Sequence, residues 1–498
     1  MSVTYDDKNR QVIPRCLSYT TACSLGLLRI SGKQQTVHQT EVKYSLTREE
    51  WIENPSMVSA VDLVAEALIV KDFESIDAIK AAEYILSEAP SSNFLIRQLS
   101  NHFLERPTSP WIEPSLTIEI DAERKDIASL KKAVLLYSKD AIAWADLSLH
   151  YATLGQDNKA KRAMFIAMTL AKNNNNRYIL RSASRCLEHV GEPDWALDIL
   201  NKSGLCTIDP WIASAEIAIA DSSGLKSKCI SKAKHLLENN DLTPFSRSEL
   251  AVGIGTIEIK NGSIKRAKKM IHRALIDPTE NALAQAEWAA SQFKIDFEGM
   301  NGLRSTVPAS YEAAAVHAYY SKAFADSLIA CKKWGRFQSL SPSPIILSMF
   351  LSSCMLNDDL GAIYIFENAL PAQKENPAAI NNYAVSLARI GRTEDAEKEL
   401  DRIQITEESG KEKFVITATT GLIHFRKGYI EEGRKLYTNA ITGFEYLKDF
   451  RSVAIATYYW AIEEKSIKSQ YAESKIREAK RRIEQYNVFD FEDLANKL

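Results

Sequence analysis

The chain has 498 residues, 45% of them apolar and 25% charged, enough apolar material for a large core and incompatible with wholesale disorder. Its 62 Lys plus Arg face 64 Asp plus Glu, so no net field draws it to nucleic acid or to an anionic membrane, and any such attraction must come from a local patch. The seven cysteines are odd in number, scattered and without a CxxC pair, the pattern of reduced, mostly buried thiols.

The opening MSVTYDDKNRQVIPR mixes acids and bases where a secretory signal places basic residues and then a long apolar run. No run of eighteen apolar residues occurs, so the expectation is a cytoplasmic chain with no membrane segment. VIPRCLSYTTACSLGLLRISG predicts a helix between Leu17 and Leu28 that caps the fold; the alternative is a short arm that docks a partner or folds back on a groove. GLLRISGKQQ is not a phosphate loop, because five residues separate Gly26 from Gly32 and Gln34 follows Lys33. Residues 55–89 predict a helical hairpin turning at Lys71 and Asp72, and FLIRQLSNHFL a further helix. Pro114 in SPWIEPSLTIEIDAE argues against a continuous helix there. Residues 1–122 thus form a divergent helical region, suited to covering an open apolar end.

A repeat begins beyond it. From Trp144, the residues Leu147, Tyr151, Gly155, Ala160, Met164 and Ala167 fall at offsets of 3, 7, 11, 16, 20 and 23. One helix ends at Gly155, and a second carries small alanines where two helix axes approach closely. Leu180, Ala183, Leu187, Gly191, Ala196 and Leu200 repeat the frame 36 residues on. Ile254, Gly255, Gly262, Ala267, Ile271 and Ala274 make another unit, with Gly253-Ile254-Gly255 serving helix packing and not dinucleotide binding. Ile346, Ala362, Phe366 and Ala369 give one more, then Ile380, Tyr383, Gly391, Ala396 and Leu400, then Gly421, Gly428, Tyr437 and Ala440, and a terminal unit at Tyr459, Trp460, Ala472 and Ala479. Residues 205–238 keep Trp211 but lose the glycine and alanine landmarks, and 281–341 are interrupted by the loop EGMNGLRSTVPAS, near 294–310.

These landmarks, recurring at 34 to 37 residues, resemble the tetratricopeptide repeat. The resemblance implies an all-α, right-handed superhelical solenoid of helical hairpins over 123–486, with 487–498 as a C-terminal tail. It also implies a concave surface made by the first helix of each unit, gripping a protein segment. Carried onto this chain, that surface includes Arg181, Arg185, Asn381, Asn382, Arg389, Phe425 and Arg426. Ala145 and Leu149 stand where chaperone-binding members carry a polar clamp, which disfavours that role.

Two stretches are strongly basic. Lys226, Lys228, Lys232 and Lys234 fall in one unit and Lys265, Arg266, Lys268, Lys269 and Arg273 in the next. Both are expected in second helices, and stacking would align them as a stripe able to contact phosphates. The closing AESKIREAKRRIEQYNVFDFEDLANKL predicts a basic amphipathic helix and then an acidic, aromatic segment that caps the array or docks elsewhere. The eight histidines are dispersed, and no HExxH, GxSxG or catalytic cysteine motif occurs. The expectation is a non-catalytic scaffold or adaptor without metal or cofactor, binding a protein or peptide and regulating a separate effector. The alternatives are a nucleic-acid-associated subunit and a peptide-sensing regulator.

Overall fold

A computed structural model of the chain describes residues 10–27, 47–88 apart from 71, 73 and 74, then 97, 100, 101, 103 and 104, followed by 120–171, 176–238, 242–297, 299–405 and 410–498. Residues 28–46, which include most of GLLRISGKQQ, and residues 105–119 with Pro114 lie outside the described residues. Two compact units are present: 31–115 with 240–243, and the remainder. The smaller unit contains α2 (Met57–Val70) and α3 (Ile76–Glu88), which pack as a hairpin around Leu63, Val64, Ala81 and Ile85. It follows the short helix α1 (Tyr19–Ser24), which belongs to the larger unit.

The larger unit continues with α4 (Ile120–Leu136), α5 (Ala141–Thr153), α6 (Asp157–Ala171), α7 (Arg177–His189), α8 (Pro193–Lys202), α9 (Pro210–Ser222) and α10 (Ile230–Leu237). Then come α11 (Pro244–Lys260), α12 (Ile264–Ala274), α13 (Glu280–Phe293), α14 (Met300–Thr306), α15 (Tyr311–Tyr320) and α16 (Phe324–Phe337). The last stretch holds α17 (Ser343–Phe350), α18 (Asp359–Glu367), α19 (Pro371–Lys374), α20 (Pro377–Arg389), α21 (Thr393–Leu400), α22 (Gly410–Lys427), α23 (Ile430–Tyr446), α24 (Phe450–Ser466), α25 (Ala472–Gln485) and α26 (Glu492–Asn496). No β-strand occurs among the described residues.

Each hairpin forms for the reason its sequence suggests. Asp140 caps α5 by accepting from the Ile142 and Ala143 N–H groups at 3.0 and 3.1 Å, and Gly155, at φ +67°, ends the turn beyond it. Ala160, Ala163 and Ala167 are fully or almost fully buried, so α5 and α6 lie close. Two weak frames are regular in space. Residues 205–238 do possess a positive-φ Gly224 and a buried Ala233, displaced in register because a longer turn, 223–229, separates α9 from α10. In 311–337 the glycine position is held by Lys322 at φ +60°, so the hairpin α15 and α16 exists without its landmark. The stretch expected as an interrupting loop contains α14, which packs on α13.

The array also touches itself across several hairpins. Leu340 and Ala372 share a core cluster with α5 to α7, and the Thr153 and Ser339 hydroxyls are 3.0 Å apart. At the far end Val488 and Phe491 are buried, and Asp490 accepts hydrogen bonds from the Tyr319 hydroxyl at 2.7 Å and from Arg451. The closing segment is thus packed back onto α15 and α24.

Candidate functional site

The first helices α5, α7, α9, α11, α13 and α15 share one face, and residues 10–19 cross it. Pro14 fixes its own φ and biases Ile13 to extended backbone, so the segment stays straight until Ser18 caps α1 by accepting from Thr21 N–H. The expected capping helix is therefore shorter than Leu17–Leu28, and the residues before it form an arm laid on the inner face. The arm runs across the helices in reverse order, from α15 and α13 at Arg10 to α7 and α5 at Leu17 and Tyr19.

Two arginines anchor it. The Arg10 guanidinium donates to both Glu312 carboxylate oxygens, at 2.7 and 3.0 Å, and to Gln285 Oε1. Arg15 makes a two-pronged pair with Glu280 at 2.7 and 2.9 Å, reaches Glu312 at 2.6 Å and donates to Gln338 at 2.7 Å. Planar forks matched to carboxylates are the strongest of such contacts. The Glu280 and Glu312 side chains are each 4% exposed, so these are buried ion pairs. Burial pushes the Glu312 carboxyl up, but Arg10 and Arg15 outweigh it and hold it well below the usual carboxylate range. For Glu280 burial wins over Arg15 and the net direction is upward.

Side chains also read the arm's backbone. Gln285 Nε2 donates to Arg10 O at 2.8 Å, Asn281 Nδ2 to Ile13 O at 3.1 Å, and the Tyr178 hydroxyl to Leu17 O at 2.9 Å. Asp146 accepts from Tyr19 N–H at 3.1 Å. Gln11 donates to Asp221 at 2.7 Å. Val12 is fully buried against Gly253, where an added Cβ would lie 3.1 Å from Val12 Cγ2. Leu17 and Leu27 complete a cluster with Trp211.

The residues expected to line the groove are distributed differently. Arg181 and Arg185 do lie beside the arm, but Arg181 is committed to Glu249 at 2.9 Å and to Trp211 O at 2.9 Å, and Arg185 pairs with Glu188. Asn381 and Asn382 are 1% and 2% exposed and tie neighbouring repeats together, through the Thr419 hydroxyl and Ile346 O. Phe425 is 3% exposed and packs on Tyr437; an aromatic at that point of a first helix fills the hairpin interior, which corrects its expected place on the surface. Arg389 bonds Ser353 O at 3.0 Å and Arg426 pairs with Glu463 at 2.8 Å. These contacts of the five run to other parts of the array and not to the arm. The residues that grip it, Glu280, Asn281, Gln285 and Glu312, come from the frame that seemed interrupted. The signal that could have found Asn281 and Gln285 is the ENALAQ run, which puts them one helical turn apart on one face.

The basic stripe needs a correction. Lys226 and Lys228 sit in the turn before α10 and not in a second helix. Lys232 and Lys234 are on α10, and Lys265, Arg266, Lys268, Lys269 and Arg273 on α12. The two helices do meet, since Arg273 donates to Leu237 O at 2.8 Å. Acids enter the stripe, however: Lys234 pairs with Glu258 at 2.7 Å and Arg273 with Glu238 at 3.0 Å. Among the described residues no cluster suited to a metal ion occurs, and no helix is long and apolar enough to cross a membrane.

Successive hairpins of two antiparallel helices, closed by a left-handed residue and lined by small residues, decide the architecture. The fold is tetratricopeptide-like. No family model matches the chain, and no curated protein matches it. Among solved structures it is similar to the APC/C hetero-tetramer of Cut9 and Hcn1, at 13% identity over 97% of this chain and 90% of that chain, with a TM-score of 0.41. It is similar to yeast Tom70 at 13% identity, covering 89% and 94% with a TM-score of 0.33. A human IFIT1 dimer solved with PPP-AAAA gives 12%, 91%, 95% and 0.35 for the same quantities. These likenesses carry no function to this chain.

Proposed function

We propose that this tetratricopeptide-like chain is a non-catalytic protein-interaction scaffold or adaptor whose first helices grip an extended protein segment, with the effector residing on a separate chain. One observation carries the reading: the inner face holds an extended stretch, residues 10–18, by arginine forks and by side-chain amides that bond its backbone carbonyls. That is the chemistry of extended-peptide capture. The test is affinity capture of the tagged chain from its native cells, without nuclease, with protein and nucleic acid both analysed in the eluate. A stoichiometric protein partner is expected; an eluate with no protein above that of an untagged control overturns the reading.

A second reading rests on the exposed Lys265, Arg266, Lys268 and Lys269 of α12. A surface of this kind favours binding of phosphates, with affinity falling steeply as salt rises. Charge reversal at those four positions would flatten the salt dependence of RNA or DNA binding. Failure of the unaltered chain to bind either at low salt removes this reading.

A further inference from the structure

We propose that the arm is a displaceable occupant, and that the acidic cradle beneath it docks an extended segment of a partner protein carrying two arginines five residues apart. The inference rests on the scaffold reading above and names its partner chemistry.

Four features define what the cradle accepts. The cations paired with Glu280 and Glu312 come from the arm, Arg15 and Arg10. Removing them takes from two desolvated carboxylates the guanidinium charges that offset their burial, so an emptied cradle selects a replacement cation. The two-pronged geometry at Glu280 selects a guanidinium over an ammonium. Next, Gln285 and Asn281 bond main-chain carbonyls of the occupant and so accept any sequence at those positions that is extended. The third feature is Gly253, whose missing side chain leaves the place taken by Val12; an apolar residue is required there, two positions after the first arginine. Finally, the arm is an imperfect filler. Beside it lies a cavity of about 270 Å3 bordered by Gln11, Pro14, Arg185, Glu188 and Trp334, and Gln11 Oε1 is buried without a protein donor. A buried acceptor left without a donor is destabilising, so an occupant with a longer polar side chain at that position gains on the arm.

The probe is a labelled peptide with the sequence of residues 8–20, read by fluorescence anisotropy against the full-length protein. Arg10→Ala with Arg15→Ala loosens the arm and leaves the cradle intact. This double variant is expected to bind the peptide at least about tenfold more tightly than the unaltered protein does, a difference of about 1.4 kcal/mol. A peptide with lysine at both arginine positions should bind it at least about tenfold more weakly than the arginine peptide. Adding Gly253→Leu to the double variant should abolish binding by filling the Val12 position. A folded double variant that takes up no peptide, or that binds arginine and lysine peptides alike, overturns the proposal. Light scattering showing the unaltered protein as a dimer with exchanged arms also overturns it, in favour of a second copy as occupant.

Should the double variant fail to fold, hydrogen exchange on the unaltered protein decides. The Tyr19 amide, bonded to Asp146, exchanging ahead of those in α13 supports displacement; a Tyr19 amide that exchanges only with global unfolding overturns it. The two readings fail separately. A native partner captured equally by the unaltered protein and by Gly253→Leu leaves the scaffold standing and removes only the cradle as its docking site.

Discussion

Glu280 and Glu312 are neighbours in one cradle, and their titration runs in opposite directions. For Glu312, held below its ordinary 4.5, the stabilisation is present above that value and is lost as pH falls through the lower folded value. For Glu280, pushed up, the folded state holds the proton more firmly, so its effect favours folding as pH falls from the raised value toward 4.5. Glu312→Gln is therefore expected to cost about 3–5 kcal/mol at neutral pH, the usual result of breaking a buried pair. Glu280→Gln, which relieves a charge that burial disfavours and leaves Arg15 its bond to Glu312, should cost about 1 kcal/mol. Urea unfolding at pH 7 checks the order, and repeating it down to about pH 3 should show the acid loss of stability flattened in Glu312→Gln alone. The identity of these two residues was not legible in the sequence. A glutamate at the start of ENALAQAEWAASQF or YEAAAVHAYYSKAF reads as a favourable first-turn acid, and nothing local reveals that they point at arginines 265 and 302 residues away. Asn381, Asn382 and Phe425 are buried in the array, and helical period alone does not separate an inner surface from the seam between hairpins.

At the scale of the element, α11 carries two glycines with different duties. A Cβ on Gly255 would lie 2.8 Å from Ile271 Cγ1, inside the α11 and α12 hairpin. Gly255→Ala should therefore destabilise by about 1–3 kcal/mol through overpacking, although alanine favours a helix by about 1 kcal/mol. Gly253→Ala crowds only Val12 of the arm, so the hairpin should melt at or above its original temperature while the Tyr19 amide, bonded to Asp146, loses protection. Thermal melting together with hydrogen exchange separates the two outcomes. Most hairpins could be read from the sequence because alanine at the helix crossing and glycine at the turn are local requirements. The one with a lengthened turn could not, because Gly224 stands out of register, and neither could the one with Lys322 in the left-handed position, a residue that seldom adopts that backbone.

The molecule as a whole departs from a simple stack. In a linear array each hairpin meets only its neighbours, and stability is a sum of local terms. Here Leu340 and Ala372 join the cluster of α5 to α7, and Asp490 binds both α15 and α24. Asp490→Ala leaves Tyr319 and Arg451 without that carboxylate, and a loss of about 3–5 kcal/mol is expected for a buried pair broken on one side. Hydrogen exchange should then rise in α15 as well as near the C-terminus, whereas a merely local loss would spare α15. The arm adds a constraint in time. It leaves the ribosome ahead of its cradle: Glu312 lies 302 residues beyond Arg10 and Gln338 lies 323 beyond Arg15. At about 5–20 residues per second, roughly 15–60 seconds of translation separate the two. For that interval the arginines and Val12 have no cradle to enter, and when the cradle does emerge, the tethered arm is the segment nearest to it. Slowing synthesis ahead of residue 312 would lengthen the arm's exposure, making codon usage in that stretch a determinant of how many newborn chains close on themselves.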